Sequence, residues 1–279
     1  GGTITAGGGA GNSTVTVTWN TTGTQSVSVN YTNGNGCTAA SPTIYSVTVN
    51  PLPSPTISGP SSVCQNSTGN VYSTEAGMSN YLWTVVGGTI TAGGGTTNST
   101  ATVTWNTAGA QSISVSYANA YGCRNSFSMT VVVYAVPVGT PTTYSICSGE
   151  TTDIDLTTLI SPPMTGLSFT WTANLFAGGA ITGYSGCPSG CTQTVIAQTL
   201  SNQVLPGTGS PSTVRYIVTP TANGCPGVPF NVDVVVYPIP FNLNATFHQQ
   251  HINEPAYDTL KLCDGGTIYY AADNDIEAF

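Results

Sequence analysis

The sequence predicts an all-β chain of β-sandwich domains in tandem, and three observations predict it. Apolar and polar residues alternate in Thr14-Val-Thr-Val-Thr-Trp19, Gln25-Ser-Val-Ser-Val-Asn-Tyr31, Ala101-Thr-Val-Thr-Trp105 and Ser112-Ile-Ser-Val-Ser-Tyr117. That period, carried by β-branched residues, marks strands with one buried face. Residues 1–37 return as 87–123, an offset of 86, with 27 of 37 positions identical. A period this long suits one whole sandwich per repeat and is too long for most solenoids. Finally, no stretch carries helical periodicity, and Gly and Asn clusters separate the alternating runs.

The elements follow in order. Trp19 maps to Trp105, Tyr31 to Tyr117, Cys37 to Cys123 and Pro51 to Pro137. Proline fixes φ and lacks an N–H, so Asn50-Pro-Leu-Pro-Ser-Pro55, Val136-Pro-Val-Gly-Thr-Pro141 and Tyr237-Pro-Ile-Pro240 read as stiff connectors. Boundaries are placed near 53, 138 and 240. Residues 1–53 are then the C-terminal half of one repeat, and 54–137 are a complete repeat. Residues 138–240 are a longer, diverged repeat, and 241–279 are the N-terminal part of a further one. In the diverged repeat, Ser168-Phe-Thr-Trp-Thr172 aligns with Asn80-Tyr-Leu-Trp-Thr84, and Gly224-Cys225 with Gly122-Cys123. Gly1-Gly2 open in the middle of a repeat, so the sequence reads as part of a longer protein.

Charge excludes several functions. The 279 residues include 3 Lys or Arg and 11 Asp or Glu, for a net charge of -8. Charged residues make up 5%, against about 25% in ordinary soluble domains. No basic surface exists to neutralise nucleic-acid phosphates or to hold an anionic membrane. No apolar run is long enough to span a bilayer. Eight cysteines beside the one lysine, Lys261, indicate an oxidising, extracellular setting.

The repeat predicts cysteine pairing. Each complete repeat carries one early and one late cysteine, which pairs Cys64 with Cys123 and Cys147 with Cys225. Cys37 is late and Cys263 early, so their partners are expected outside the sequence. Cys187 and Cys191 are expected to close a local loop. A zinc site from Cys187-x3-Cys191 is the rival reading, and it lacks a second ligand pair nearby in sequence.

Val63-Cys64, Tyr81-Leu-Trp83, Gly87-Gly-Thr-Ile90, Val103-Thr-Trp105 and Gly122-Cys123 resemble the PKD-like, immunoglobulin-like repeats of Bacteroidota surface proteins. Cys147-Ser-Gly-Glu150, Phe169-Thr-Trp171 and Tyr216-Ile-Val-Thr-Pro-Thr-Ala-Asn-Gly-Cys225 resemble a longer subtype found beside them. Such arrays are similar to SprB-like gliding-motility adhesins. The resemblance implies export by type 9 secretion and display as a filament on the outer surface of a Gram-negative cell. It implies partners among neighbouring repeats, the secretion and anchoring machinery, and surface polysaccharide. Asp258-Thr259-Leu260 resembles a short O-glycosylation motif, which would place a glycan on Thr259.

Catalytic chemistry is not expected, and neither is a cofactor or a metal. His248 and His251, with Glu254, read as linker surface rather than zinc ligands. Asp153 with Asp155, and Asp273, Asp275 and Glu277, alternate as solvated acidic faces and complete no calcium loop. Gly7-Gly-Gly9 and Gly93-Gly-Gly95 lack the lysine and helix of a phosphate loop. Trp83 and Trp171 are expected in the core, against the sandwich disulfide. Tyr121, Tyr184 and Tyr269 are candidate sugar contacts. The expected function is a non-catalytic stalk, a rod-like array in a surface adhesin. The rival is a spacer or carbohydrate-binding array on a secreted polysaccharide-degrading enzyme.

Overall fold

A computed structural model describes residues 1–189, 192–203 and 209–239. The expected features at Cys191, His248, His251, Thr259, Cys263, Tyr269 and 273–277 lie outside them, as does the 241–279 segment. The chain is all-β, as tandem sandwich repeats require. It divides into two compact units, with the break between Tyr134 and Ala135.

The first unit opens with two hairpins. Strand β1 (Gly2–Gly7) pairs antiparallel with β2 (Val15–Trp19), and β3 (Gly23–Val29) with β4 (Thr43–Val49). A complete sandwich follows, made of β5 (Ser62–Cys64), β6 (Asn70–Ser73), β7 (Ser79–Val86), β8 (Gly88–Gly93), β9 (Thr100–Trp105), β10 (Gly109–Ala118) and β11 (Arg124–Tyr134). One sheet runs β5-β11-β10-β7 and the other β6-β9-β8. Strand β5 is parallel to β11, and the other pairings are antiparallel.

The hairpins match the back half of this sandwich. Gly2 faces Trp19 with a bulge between Ile4 and Ala6; Gly88 faces Trp105 with a bulge between Ile90 and Ala92. The double-glycine turn also recurs. Gly93 has φ +67, and a Cβ there would sit 2.4 Å from the Thr100 carbonyl oxygen, so only glycine fits.

The last strand corrects the alignment. Val27 faces Tyr45, but Ile113, its equivalent at an offset of 86, faces Met129. The offset therefore falls to 84 along β4, because the 38–43 segment holds two more residues than its counterpart. Asn50 thus corresponds to Tyr134, and Pro53, not Pro51, to Pro137.

Alternation produces the core. Ile113, Val115 and Tyr117 of β10 face inward with Val131 and Val133 of β11 and Val103 and Trp105 of β9. Trp105 packs edge-on against Tyr72, with centroids 6.0 Å apart, and its Nε1 donates to the Tyr72 hydroxyl at 3.1 Å. Trp83 is buried, with Nε1 donating to the Asn98 carbonyl at 3.0 Å. Each buried indole N–H is thereby satisfied, which avoids a penalty of about 1–3 kcal/mol.

The second unit contains β12 (Thr142–Cys147), β13 (Ile154–Asp155), β14 (Leu167–Ala177), β15 (Ile181–Thr182), β16 (Val195–Ile196), β17 (Ser201–Asn202), β18 (Ser212–Ala222), β19 (Cys225–Pro226) and β20 (Phe230–Tyr237). Its main sheet runs β12-β20-β18-β14, again with a parallel first strand. Every second residue of β18 and β20 is buried, including Tyr216, Val218, Val232 and Val234. Trp171 is buried beside Cys187 and donates to the Ser185 carbonyl at 3.2 Å.

Strand pairing overturns two expected disulfides. Cys64 stands opposite Tyr134, whereas Cys123 precedes Arg124 at the other end of β11. Ten residues at roughly 3.3 Å each separate the two ends by ~30 Å, beyond the ~7 Å reach of a disulfide. Accordingly, Cys123 is a free thiol while Cys64 is disulfide-bonded. Cys147 stands opposite Tyr237 and Cys225 opposite Ala222, at opposite ends of one sheet. Both are disulfide-bonded, but this distance keeps them from bonding each other. Trp83 therefore packs against aromatic and aliphatic side chains, with no Cys64–Cys123 bridge beside it. Cys187 is also disulfide-bonded, and Cys37 is a free, exposed thiol.

Candidate functional site

The polar chemistry of the first unit gathers where the 50–53 connector meets the complete repeat. The tight loop before β11 is organised by Asn119, whose Oδ1 accepts the Tyr121 N–H at 3.0 Å and the Cys123 N–H at 3.1 Å. The first copy uses Asn33 in the same way, accepting from Asn35 and Cys37, both at 3.0 Å. An Asn side chain that caps its own loop is ordinary turn chemistry.

The second copy adds a clasp on the connector. Asn119 Nδ2 donates to the Pro51 carbonyl at 2.9 Å, and Asn125 Nδ2 donates to the Pro53 carbonyl at 2.9 Å. The Cys123 thiol points to the Asn50 carbonyl at 4.0 Å. Three of the four connector carbonyls thus meet side chains of the repeat that follows. Proline supplies the stiffness, and the amides supply the direction.

Beside the clasp lies a carboxylate knot. Glu75 accepts from the Thr56 hydroxyl at 2.5 Å, the Thr56 N–H at 3.2 Å, the Thr74 hydroxyl at 2.7 Å and the Tyr117 hydroxyl at 2.7 Å. The Tyr81 hydroxyl donates to the Glu75 carbonyl at 2.7 Å and accepts from the Met78 N–H at 3.0 Å. Burial pushes the Glu75 carboxyl up, but donation from Thr56, Tyr117 and Thr74 outweighs it and holds the group at about 2. Burial, and then the adjoining Glu75 carboxylate, push the Tyr117 phenol above its usual range. The knot ties the connector side of the repeat to β10.

The second unit holds a comparable polar anchor. Arg215 and Asp233 face each other across β18 and β20 and pair bidentately, Nε to Oδ1 at 2.8 Å and Nη2 to Oδ2 at 2.7 Å. The guanidinium lies 3.4 Å from the centroid of the Phe176 ring. Gln198 joins Ser185 to the buried Tyr216, whose hydroxyl donates to Gln198 Oε1 at 2.9 Å. Asp155 accepts from the N–H and hydroxyl of Thr157 and so caps a short 3-10 turn, Leu156–Leu159. Asp153 lies outside β13 at φ 44, so the two carboxylates do not share a strand face.

Among the described residues, no three His, Cys, Asp or Glu come together as metal ligands. No described helix is long and apolar enough to cross a membrane. Tyr121 is exposed, Tyr184 is half-buried, and Trp83, Trp105 and Trp171 point inward. Sequence reasoning missed the Glu75 knot and the Asn119–Asn125 clasp. A signal for the knot was present: Glu75 is the only acidic residue between 1 and 137.

Two family matches cover most of the described chain. Residues 50–132 match one family and residues 144–240 another, and both are described as a PKD-like domain. No curated protein matches. Among solved structures, insect hemolin is 13% identical, covering 77% of this chain and 56% of its own, with a TM-score of 0.33. The protocadherin gamma-B4 extracellular domain is 11% identical, covering 77% of this chain, with a TM-score of 0.31. This chain spans only 38% of that one. Mouse cadherin-23 EC22–24 is 12% identical over 73% of this chain and 72% of its own, with a TM-score of 0.29. At such scores these neighbours add nothing to the assignment.

Proposed function

We propose that this chain is a non-catalytic stalk segment of a long, repetitive cell-surface adhesin serving surface attachment and gliding motility. Its two PKD-like domains support an extracellular structural or adhesive repeat region. The clasp on the connector carries the reading. A stalk under load needs each domain seated on the segment that joins it to its neighbour. Asn119, Asn125 and Cys123 meet the connector in that way. The few charges of the 54–134 domain are used internally: Glu75 in its knot, and Arg124 on Ser116 and the Asn80 carbonyl. The resemblance to Bacteroidota surface repeats supports type 9 secretion and outer-surface anchoring.

The test is to label living source cells with an antibody against residues 54–239. Signal on surface filaments that travel along the cell is the expected result. Signal confined to the medium, or to polysaccharide with a co-purifying hydrolase, favours the spacer reading and ends the adhesin one. Inward-facing Trp83, Trp105 and Trp171 weigh against that rival, and exposed Tyr121 is the candidate contact that it keeps.

A further inference from the structure

Residues 1–50 leave open the face that the complete repeat covers. In the complete repeat, Val115 and Tyr117 are each 1% exposed beneath the other sheet and β7. Their counterparts Val29 and Tyr31 are 60% and 73% exposed. Tyr31 and Tyr45 line a concavity of mixed polarity, in which Ile4, Val15, Val27 and Val29 supply apolar surface and Ser28, Asn30 and Thr43 polar surface. Among the described residues nothing supplies for this face what β5, β6 and β7 supply for the other copy. The internal repeat therefore names the occupant: a segment with the pattern of residues 54–86.

The register then places that segment's cysteine. In the complete repeat, Cys64 lies opposite Tyr134, and the Gln65 N–H donates to the Tyr134 carbonyl at 2.8 Å. Asn50 is the counterpart of Tyr134 at the offset of 84 that β4 follows. A 54–86-type segment seated on the open face brings its cysteine opposite Asn50. The Asn50 carbonyl is the group that the free Cys123 thiol already meets at 4.0 Å. Cys37, in the matching loop of the first copy, points only to its own Asn35 carbonyl.

We propose that the open face of residues 1–50 accepts a 54–86-type segment, whose cysteine forms a disulfide with Cys123. The bond joins the repeat holding residues 1–50 to the repeat holding Cys123, so cysteines bridge successive repeats instead of closing one. Two thiols become one disulfide by exchange with a separate oxidising disulfide, which takes up the two electrons and leaves as two thiols. The bridge spans the connector that the two asparagines hold.

The experiment uses the full chain and a synthetic peptide of residues 54–86 whose Cys64 is activated as a mixed disulfide with thionitrobenzoate. Cys123 thiolate attacks the peptide sulfur, the S–S bond breaks, and thionitrobenzoate leaves with the electron pair and is read by its colour. Mass mapping should place the peptide on Cys123 at least tenfold over the more exposed Cys37. A scrambled peptide should show no such preference. A Cys64→Ser peptide should still bind, and Val29→Asp in the chain should weaken that binding at least tenfold. Equal labelling of Cys37 and Cys123, or preference for Cys37, overturns the disulfide. Absence of binding by the Ser peptide overturns the acceptor face. Neither outcome bears on where the protein is displayed, so the stalk reading stands or falls separately.

Discussion

Replacing Glu75 by Gln should unfasten the 54–134 domain at neutral pH and leave it little changed in strong acid. The carboxylate receives four donors, three on Oε2 and the Thr56 hydroxyl on Oε1. An amide keeps one acceptor oxygen and turns an NH2 toward hydroxyls that were donating. A folded value of about 2 against the ordinary 4.5 sets a ceiling of ~3 kcal/mol. Glu75 is only half-buried, so solvent screening lowers the expected effect to about 1–2 kcal/mol. The sign follows from the depressed value. The stabilisation is complete above about 4.5 and is lost as pH falls toward about 2. The assay is hydrogen exchange by mass spectrometry across a denaturant series, comparing β10 peptides with β18 peptides as an internal control. The wild-type β10 midpoint should fall between pH 5 and pH 2 more steeply than that of Glu75→Gln, and the two should converge near pH 2. A variant that is as destabilised at pH 2 as at pH 7 would refute the charge argument, since packing alone would then account for the loss.

Other outcomes follow from the same geometry. Trp105→Phe removes the donor to Tyr72 and leaves a small void, costing about 1–2 kcal/mol in the 54–134 domain; Trp19→Phe, at the half-exposed counterpart, should cost much less in the same denaturation assay. Asn119→Ala should raise hydrogen exchange at Tyr121 and Cys123 and loosen the 50–53 connector, while Asn33→Ala raises it only at Asn35 and Cys37. Under native conditions a thiol reagent should modify exposed Cys37 faster than half-buried Cys123, and a reversed order would contradict the burial of Cys123. Asp233→Asn should lower the unfolding midpoint of the second unit more in low salt than in 1 M salt, because it leaves Arg215 facing a neutral amide.

Several features were legible in the chain because they depend on neighbours in sequence. Alternation in residues 101–105 and 112–117 marks β9 and β10 and their buried faces. The copied glycine run marks the same hairpin twice. Trp83 and Trp171 were expected in the core as partners of a sandwich disulfide; both are buried, Trp83 without the Cys64–Cys123 bridge. The Glu75 knot was not legible, because its donors Thr56, Thr74 and Tyr117 come from three separate parts of the chain. The clasp was not legible either, since Asn119 looks like Asn33 until the connector carbonyls lie beside it.

The sequence by itself determined strand character and, along the alternating runs of β9 and β10, the inward or outward sense of the side chains, because the pleat alternates residue by residue. Tertiary structure alone decided which cysteines can meet. Early and late cysteines look like a natural pair along the chain. However, the first strand runs parallel to the last, which puts Cys64 beside Tyr134 and Cys147 beside Tyr237, at the far end from Cys123 and Cys225. A disulfide needs its two Cα atoms within ~7 Å, and a whole strand length lies between them. The two-residue change of offset along β4 was hidden for a similar reason: alternation has period two, so a shift of two leaves the apolar pattern intact.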